Sequence, residues 1–203
     1  MGCHLAGRTG RTLQSLYNNK LNNIVGIDCA GPMFKGDLNS RIQDTDANNV
    51  ISLMCSYAFG PGSSIYGTHN YIVNNGGNQP ACASDEKCMD GLVSIFPWTK
   101  SCSHAFCCNL VAELLSSNSS QFFVSRCDCF TKCTKSEPKT CPLSLEPNKN
   151  CAPGLFSVYT NNNSPYAMGE EGAKGCKGCS DCYNCYPSFA TVFSFSGDGR
   201  YCY

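Results

Sequence analysis

The chain has 203 residues, and its 15 basic and 15 acidic side chains cancel. That balance excludes the basic footprint of a nucleic-acid binder, and no run of about 18 apolar residues offers a membrane span. The 18 cysteines, spread along the whole length, point instead to disulfides formed in an oxidising, extracellular compartment. Met1 is followed at once by Gly2-Cys3-His4, without the charged and apolar regions of an export signal. A secreted body with no such leader is expected to be a fragment of a longer protein.

In chain order, residues 8–20 are polar and helix-compatible, with Leu13, Leu16 and Tyr17 as a narrow apolar stripe. Asn22-Asn23 breaks the pattern, and Ile24 to Ala30 reads as a buried strand. It lacks alternation because a parallel strand is covered on both faces. Residues 31–49 form a polar loop. Val50 to Tyr57 is a second apolar strand, followed by the turn Gly60-Pro61-Gly62-Ser63-Ser64. Tyr71-Ile72-Val73 runs into Asn74-Asn75-Gly76-Gly77, again strong turn chemistry. Cys82 and Cys102 bracket a loop whose apolar middle includes Leu92, Phe96 and Trp98. In residues 103–116, Phe106, Leu110, Val111, Leu114 and Leu115 recur at helical spacing. Phe122 to Ser125 is a short strand, and from Cys127 onward the chain is cysteine-rich and irregular. The run Cys176, Cys179, Cys182 and Cys185 has thiolate spacing. Structural zinc usually takes two separated pairs, so disulfides are the expected use.

Chemistry concentrates at three places. Asp28 ends the first strand and His104 opens the helix, the pattern in which a serine hydrolase orients its base. Where a G-x-S-x-G nucleophile elbow is expected upstream, the chain has Gly2-Cys3-His4-Leu5-Ala6. His4 then stands at the nucleophile position, with an imidazole in place of the hydroxyl.

These blocks, in this order, resemble the neutral lipase family, the α/β-hydrolases that include pancreatic-type lipases, A-type phospholipases and insect yolk proteins. Ile24 to Phe34 is similar to G-L-D-P-A-x-P-x-F, and His69 to Gly77 is similar to H-x-D-F-Y-P-N-G-G. Cys102-Ser103-His104 is similar to C-x-H, and Thr160 to Gly169 to the T-N-S-x-S-P-F-A-x-G of the arthropod branch. The resemblance implies Asp28 as triad acid, His104 as base, the Leu5 amide in the oxyanion hole and a lid closed by Cys82 and Cys102. It implies an α/β class, with a partial α/β-hydrolase domain over 1–170 and a cysteine-rich tail over 171–203. Strands at 24–30, 50–57 and 122–125 would form one side of a mostly parallel sheet. No cofactor follows from it.

The departures carry expectations of their own. The serine is absent, Ala6 replaces a glycine, Cys29 replaces the proline after the acid, and Tyr71 replaces an aspartate. Arg41, Gln43 and Asp46 lie where some relatives bind calcium, but too few ligands remain for calcium's six or more oxygens, so no metal is expected. With His4 in the nucleophile position the expectation is a silent homologue that binds or stores lipid and touches a membrane or lipid-droplet surface. The alternatives are an active lipid acyl-ester hydrolase whose true sequence has a serine, and a cysteine-rich interaction protein working through its tail.

Overall fold

A computed structural model of the chain describes residues 1–34, 37–56, 60, 65–77, 79–82, 101–116, 122–127, 141–147 and 151–174. In chain order the elements are α1 (Gly2–Tyr17), β1 (Leu21–Ile27), β2 (Ala47–Met54), β3 (His69–Val73), α2 (Ser101–Leu114), β4 (Phe123–Cys127), β5 (Cys141–Pro142), β6 (Gly154–Val158) and α3 (Glu171–Lys174). The strands form one six-stranded sheet in the order β1-β2-β3-β6-β4-β5. β1, β2, β3 and β6 run parallel, with Ile24 opposite Val50, Ile51 opposite His69, and Tyr71 opposite Phe156. β4 runs antiparallel to β6, and β5 antiparallel to β4. The mostly parallel α/β sheet expected from the sequence is therefore present, with a reversed edge.

Side-chain alternation along the strands buries apolar side chains on both faces of the sheet. Ile51 and Leu53 of β2, Tyr71 and Val73 of β3, and Phe156 and Val158 of β6 pack with Phe106, Cys107, Leu110 and Leu114 of α2. On the opposite side Val50 and Ile24 cluster with Ile42, Ala47 and Tyr66, against Cys3 and Ala6 of α1. The helices thus cover opposite sides of the sheet, and strands buried on both faces explain the continuous apolar runs.

Helix α1 differs from its expected bounds. It begins at Gly2 rather than at residue 8, so the segment read as an elbow is the first turn of a helix. Gly7 and Gly10 suggest a broken segment, yet both lie where α1 crosses Asp46. A Cβ at either would overlap that residue. Asn18 closes the helix in the left-handed region (φ 50°), its N–H turned back to Gln14 and Leu13 carbonyls.

Two central strands, β3 and β6, are absent from the sequence reading. His69 and Asn70 disguise β3 as loop because their side chains are bonded inside the fold. The Asn70 amide closes on the Gly67 backbone at 2.9 and 2.6 Å. The His69 ring lies between Thr68 Oγ1 and the Cys151 carbonyl, each at 3.3 Å.

Disulfides join Cys3 to Cys29, Cys55 to Cys107, Cys82 to Cys102 and Cys141 to Cys151. Cys82–Cys102 is the pair the resemblance implies, whereas Leu92, Phe96 and Trp98 lie outside the described residues. Of the tail, residues 171–174 pack on the sheet: the Tyr159 N–H donates to the Gly172 carbonyl at 2.9 Å, and Ser125 Oγ donates to the Ala173 carbonyl. The remainder lies outside the described residues. Among the described residues no helix is long and apolar enough to cross a membrane.

Candidate active site

The site is built at the C-terminal ends of β1 and β2, where parallel sheets present their ligand-binding crevices. Asp28 follows β1 with φ 44°, and its N–H donates to the Leu53 carbonyl at 2.9 Å, which carries the β1–β2 pairing one residue past the strand. That turn aims the carboxylate across the end of β2. Oδ1 accepts from the N–H groups of Cys55 (2.8 Å) and Ser56 (3.0 Å). Gly60 covers the same oxygen, and a Cβ there would overlap Asp28 Oδ1 and the Ser56 carbonyl.

The second carboxylate oxygen, Oδ2, accepts from Nδ1 of His104 at 2.6 Å. Asp28 is 1% exposed and His104 44%, so the carboxylate is buried and the imidazole opens to solvent. The hydrogen bond to Asp28 raises the His104 pKa above its ordinary 6.5, opposed by burial and reinforced by the Asp28 charge. A cavity of about 270 Å³ lies in front of the pair, walled by Met1, Gly2, Cys3, Ile27, Asp28 and His104 among others.

The structure does not bring His4 to this pair. Its ring is buried on the α1 side of the sheet, where Nε2 donates to the Ala30 carbonyl at 2.7 Å and Nδ1 accepts from the Ile42 N–H at 3.2 Å. The ring stacks on Phe34 with centroids 4.0 Å apart. Both nitrogens are engaged in a way that only the neutral imidazole satisfies, and burial lowers its pKa. The spacing to Asp28 suits an elbow, but His4, the residue after the cavity-lining Cys3, faces Ala30 and Ile42 instead of the cavity. The Leu5 amide is likewise engaged, donating to the Met1 carbonyl at 3.3 Å within the helix, while its side chain is exposed.

At the position read against calcium ligands, Asp46 is buried and Arg11 Nε lies 3.3 Å from its Oδ1. The Gln43 N–H donates to its Oδ2 at 2.8 Å. Arg41 stacks over Tyr66, its guanidinium carbon 4.9 Å from the ring centroid. A cation already occupies this carboxylate's charge, and it is a side chain.

The lipase family pattern matches residues 1–152. The chain belongs to the lipase family. The chain is 41% identical over 83 residues to "Phospholipase A1 1" of Dolichovespula maculata, a stretch covering 40% of the chain and 26% of that protein. It is 34% identical over 116 residues to "Phospholipase A1" of Vespula squamosa, covering 57% of the chain and 35% of the relative. A third relative, "Phospholipase A1" of Vespa crabro, is 41% identical over 83 residues, 40% of the chain and 27% of the relative. The chain thus spans about a quarter to a third of the length of the relatives it matches.

Sequence reasoning missed the residues that hold the Asp28 carboxylate. Cys55 and Ser56 act through backbone amides, which leave no side-chain signature. The cross-link between Cys3 and Cys29 did leave one, because Cys29 replaces the proline of the family motif and Cys3 lies in the adjoining helix.

Proposed function

We propose that the protein carrying this chain hydrolyses lipid acyl esters, with Asp28 and His104 as its acid–base pair. His104 takes the proton of the attacking hydroxyl and returns it to the leaving alkoxide. Asp28 holds the imidazole in its Nδ1–H tautomer and stabilises the imidazolium. The observation that carries this reading is the 2.6 Å bond between a buried carboxylate and a solvent-open imidazole at the cavity.

The nucleophile in this reading is a serine hydroxyl delivered to the cavity at the N-terminal end of α1, from the part of the relatives' length that this chain does not span. Two features support that location. Met1, Gly2 and Cys3 wall the cavity beside His104. The Gly2 and Cys3 amides have no intrahelical acceptor, which leaves them available to an oxyanion. The second reading is a silent lipid-binding or storage role; it draws on an imidazole at the nucleophile position, and the His4 ring is engaged with Ala30 and Ile42.

Phospholipid is the favoured substrate because the relatives' names specify phospholipase A1. Secretion, and contact with a lipid surface during turnover, belong to the same reading; the disulfides favour it.

The test is hydrolysis of phosphatidylcholine vesicles and of a triacylglycerol emulsion by the full-length protein, its Asp28→Asn and its His104→Ala variants. Fatty acid release by the parent, and a fall of about 10⁴ in kcat for either variant, is the expected result. An inactive parent, or variants as fast as the parent, overturns the reading.

A further inference from the structure

Between the acid and the base lies a buried amide network that the hydrolytic chemistry does not itself require. Gln79 is 1% exposed. Its Nε2 donates to the Cys55 carbonyl at 2.8 Å and to the Val73 carbonyl at 3.1 Å. Carbonyls only accept, so the amide has one orientation, and Oε1 accepts from Asn74 Nδ2 at 2.7 Å. Asn74 in turn donates to Thr160 Oγ1 at 2.8 Å and accepts from the Thr160 N–H at 2.9 Å. The Gln79 backbone N–H donates to Ser103 Oγ at 3.0 Å.

Two ends of this network touch the active pair indirectly. Cys55, whose carbonyl Gln79 holds, gives its N–H to Asp28 Oδ1. Ser103, whose hydroxyl Gln79 holds, precedes His104 in the first turn of α2. One residue therefore grips both the peptide that anchors the acid and the helix start that carries the base. The disulfides Cys55–Cys107 and Cys82–Cys102 limit how far these segments part. Directional hydrogen bonds set the register within that limit.

We propose that Gln79, acting through Cys55 and Ser103, is a positioning residue for the Asp28–His104 pair. The proposal rests on reading that pair as the acid and base of the hydrolase. Misplacement of a reacting group by about 1 Å costs on the order of 10² in rate. Loss of one link in a buried network therefore lowers turnover out of proportion to its effect on stability.

The experiment compares the full-length protein with its Ser103→Ala, Ser103→Thr and Gln79→Met variants. It records the NMR titration of the His104 imidazole and phosphatidylcholine hydrolysis. In Ser103→Ala and Gln79→Met, kcat should fall roughly ten-fold with KM unchanged. The His104 pKa should move down towards that of a free imidazole, and Ser103→Thr, which keeps the hydroxyl, should restore both. Ser103→Ala with kcat and His104 titration unchanged, whatever its melting temperature, overturns the proposal. If Gln79→Met fails to fold, the two Ser103 variants decide. If the parent hydrolyses nothing but the His104 titration still moves in Ser103→Ala, the hydrolase reading fails and the positioning role stands.

Discussion

Cys3 and Cys29 are cross-linked, so the first turn of α1 is covalently tied to the residue directly after Asp28. Gly26 leaves the space: a Cβ there would lie 2.5 Å from the Cys29 sulfur. The cross-link closes a loop across a sequence separation of 26, which in the chain-entropy model stabilises by roughly 3.5 kcal/mol. Cys3→Ala with Cys29→Ala should lower the urea unfolding free energy by about that amount. Because the turn also aims Asp28, kcat should fall in conditions where the variant is still fully folded. An unchanged unfolding midpoint would show that the two sulfurs are not bonded.

His4 supplies a pH-dependent stability of determinate sign. Burial lowers its folded pKa below 6.5. The stability it contributes is therefore present above pH 6.5 and lost as pH falls through the folded value. Protonation also turns Nδ1 into a donor facing the Ile42 N–H, which replaces a bond with a repulsion. His4→Gln keeps an amide donor but cannot titrate. Urea midpoints between pH 7.5 and 5.5 should fall more steeply in the parent than in His4→Gln. His104 acts with the opposite sign: its raised folded pKa gives stability that is present below pH 6.5 and lost as pH rises through the folded value. The difference between parent and His4→Gln isolates the His4 part, and parallel curves would contradict it.

Gly60→Ala tests the packing over the acid. The added methyl overlaps Asp28 Oδ1 and the Ser56 carbonyl. Strain of this kind costs about 1–3 kcal/mol. Rotation of the carboxylate away from His104 relieves its share of that overlap. The expected readouts are a lower melting temperature together with a His104 titration shifted down. A variant that melts earlier with an unmoved His104 would show that the loop around residue 60 yields instead of the acid.

Arg11 and Asp46 replace what a bound cation would supply. Burial pushes the Asp46 pKa up, against the pull of the Gln43 N–H and Arg11. Arg11→Met should cost about 3 kcal/mol at neutral pH by leaving that carboxylate uncompensated. The deficit should narrow on acidification, since a raised folded pKa means stability returns as Asp46 takes up its proton. In the parent, calcium and a chelator should give the same melting temperature. A calcium-dependent rise that Asp46→Asn abolishes would place a metal where Arg11 now lies.

How far the site could be read from the sequence depends on what each residue uses. Asp28 and His104 meet through side chains at element ends, where an apolar run stops or a helical period begins, so their positions were legible. The α2 period and the buried runs of β1 and β2 were legible for the same reason. For His4, linear spacing does not tell which way a residue on a helix faces, and its ring is bonded to Ala30 and Ile42. Gly7 and Gly10 argue locally against α1, and only the approach of Asp46 from 36 or more residues away explains them. His69 and Asn70 are polar where β3 is buried, and their partners lie across a turn and across the sheet. The grip of Cys55 and Ser56 on Asp28 uses backbone donors that every residue type possesses.

The Asp28–His104 bond joins positions 76 residues apart. Contacts of that separation close late, because the entropy of the intervening loop must be lost first. β1 and β2 can pair, and α2 can wind, before either knows where the other lies. On oxidative refolding from the reduced chain, ellipticity should therefore recover ahead of the shifted His104 titration. The imidazole is then a reporter of completed topology, and a preparation with native helix content can still lack a working pair.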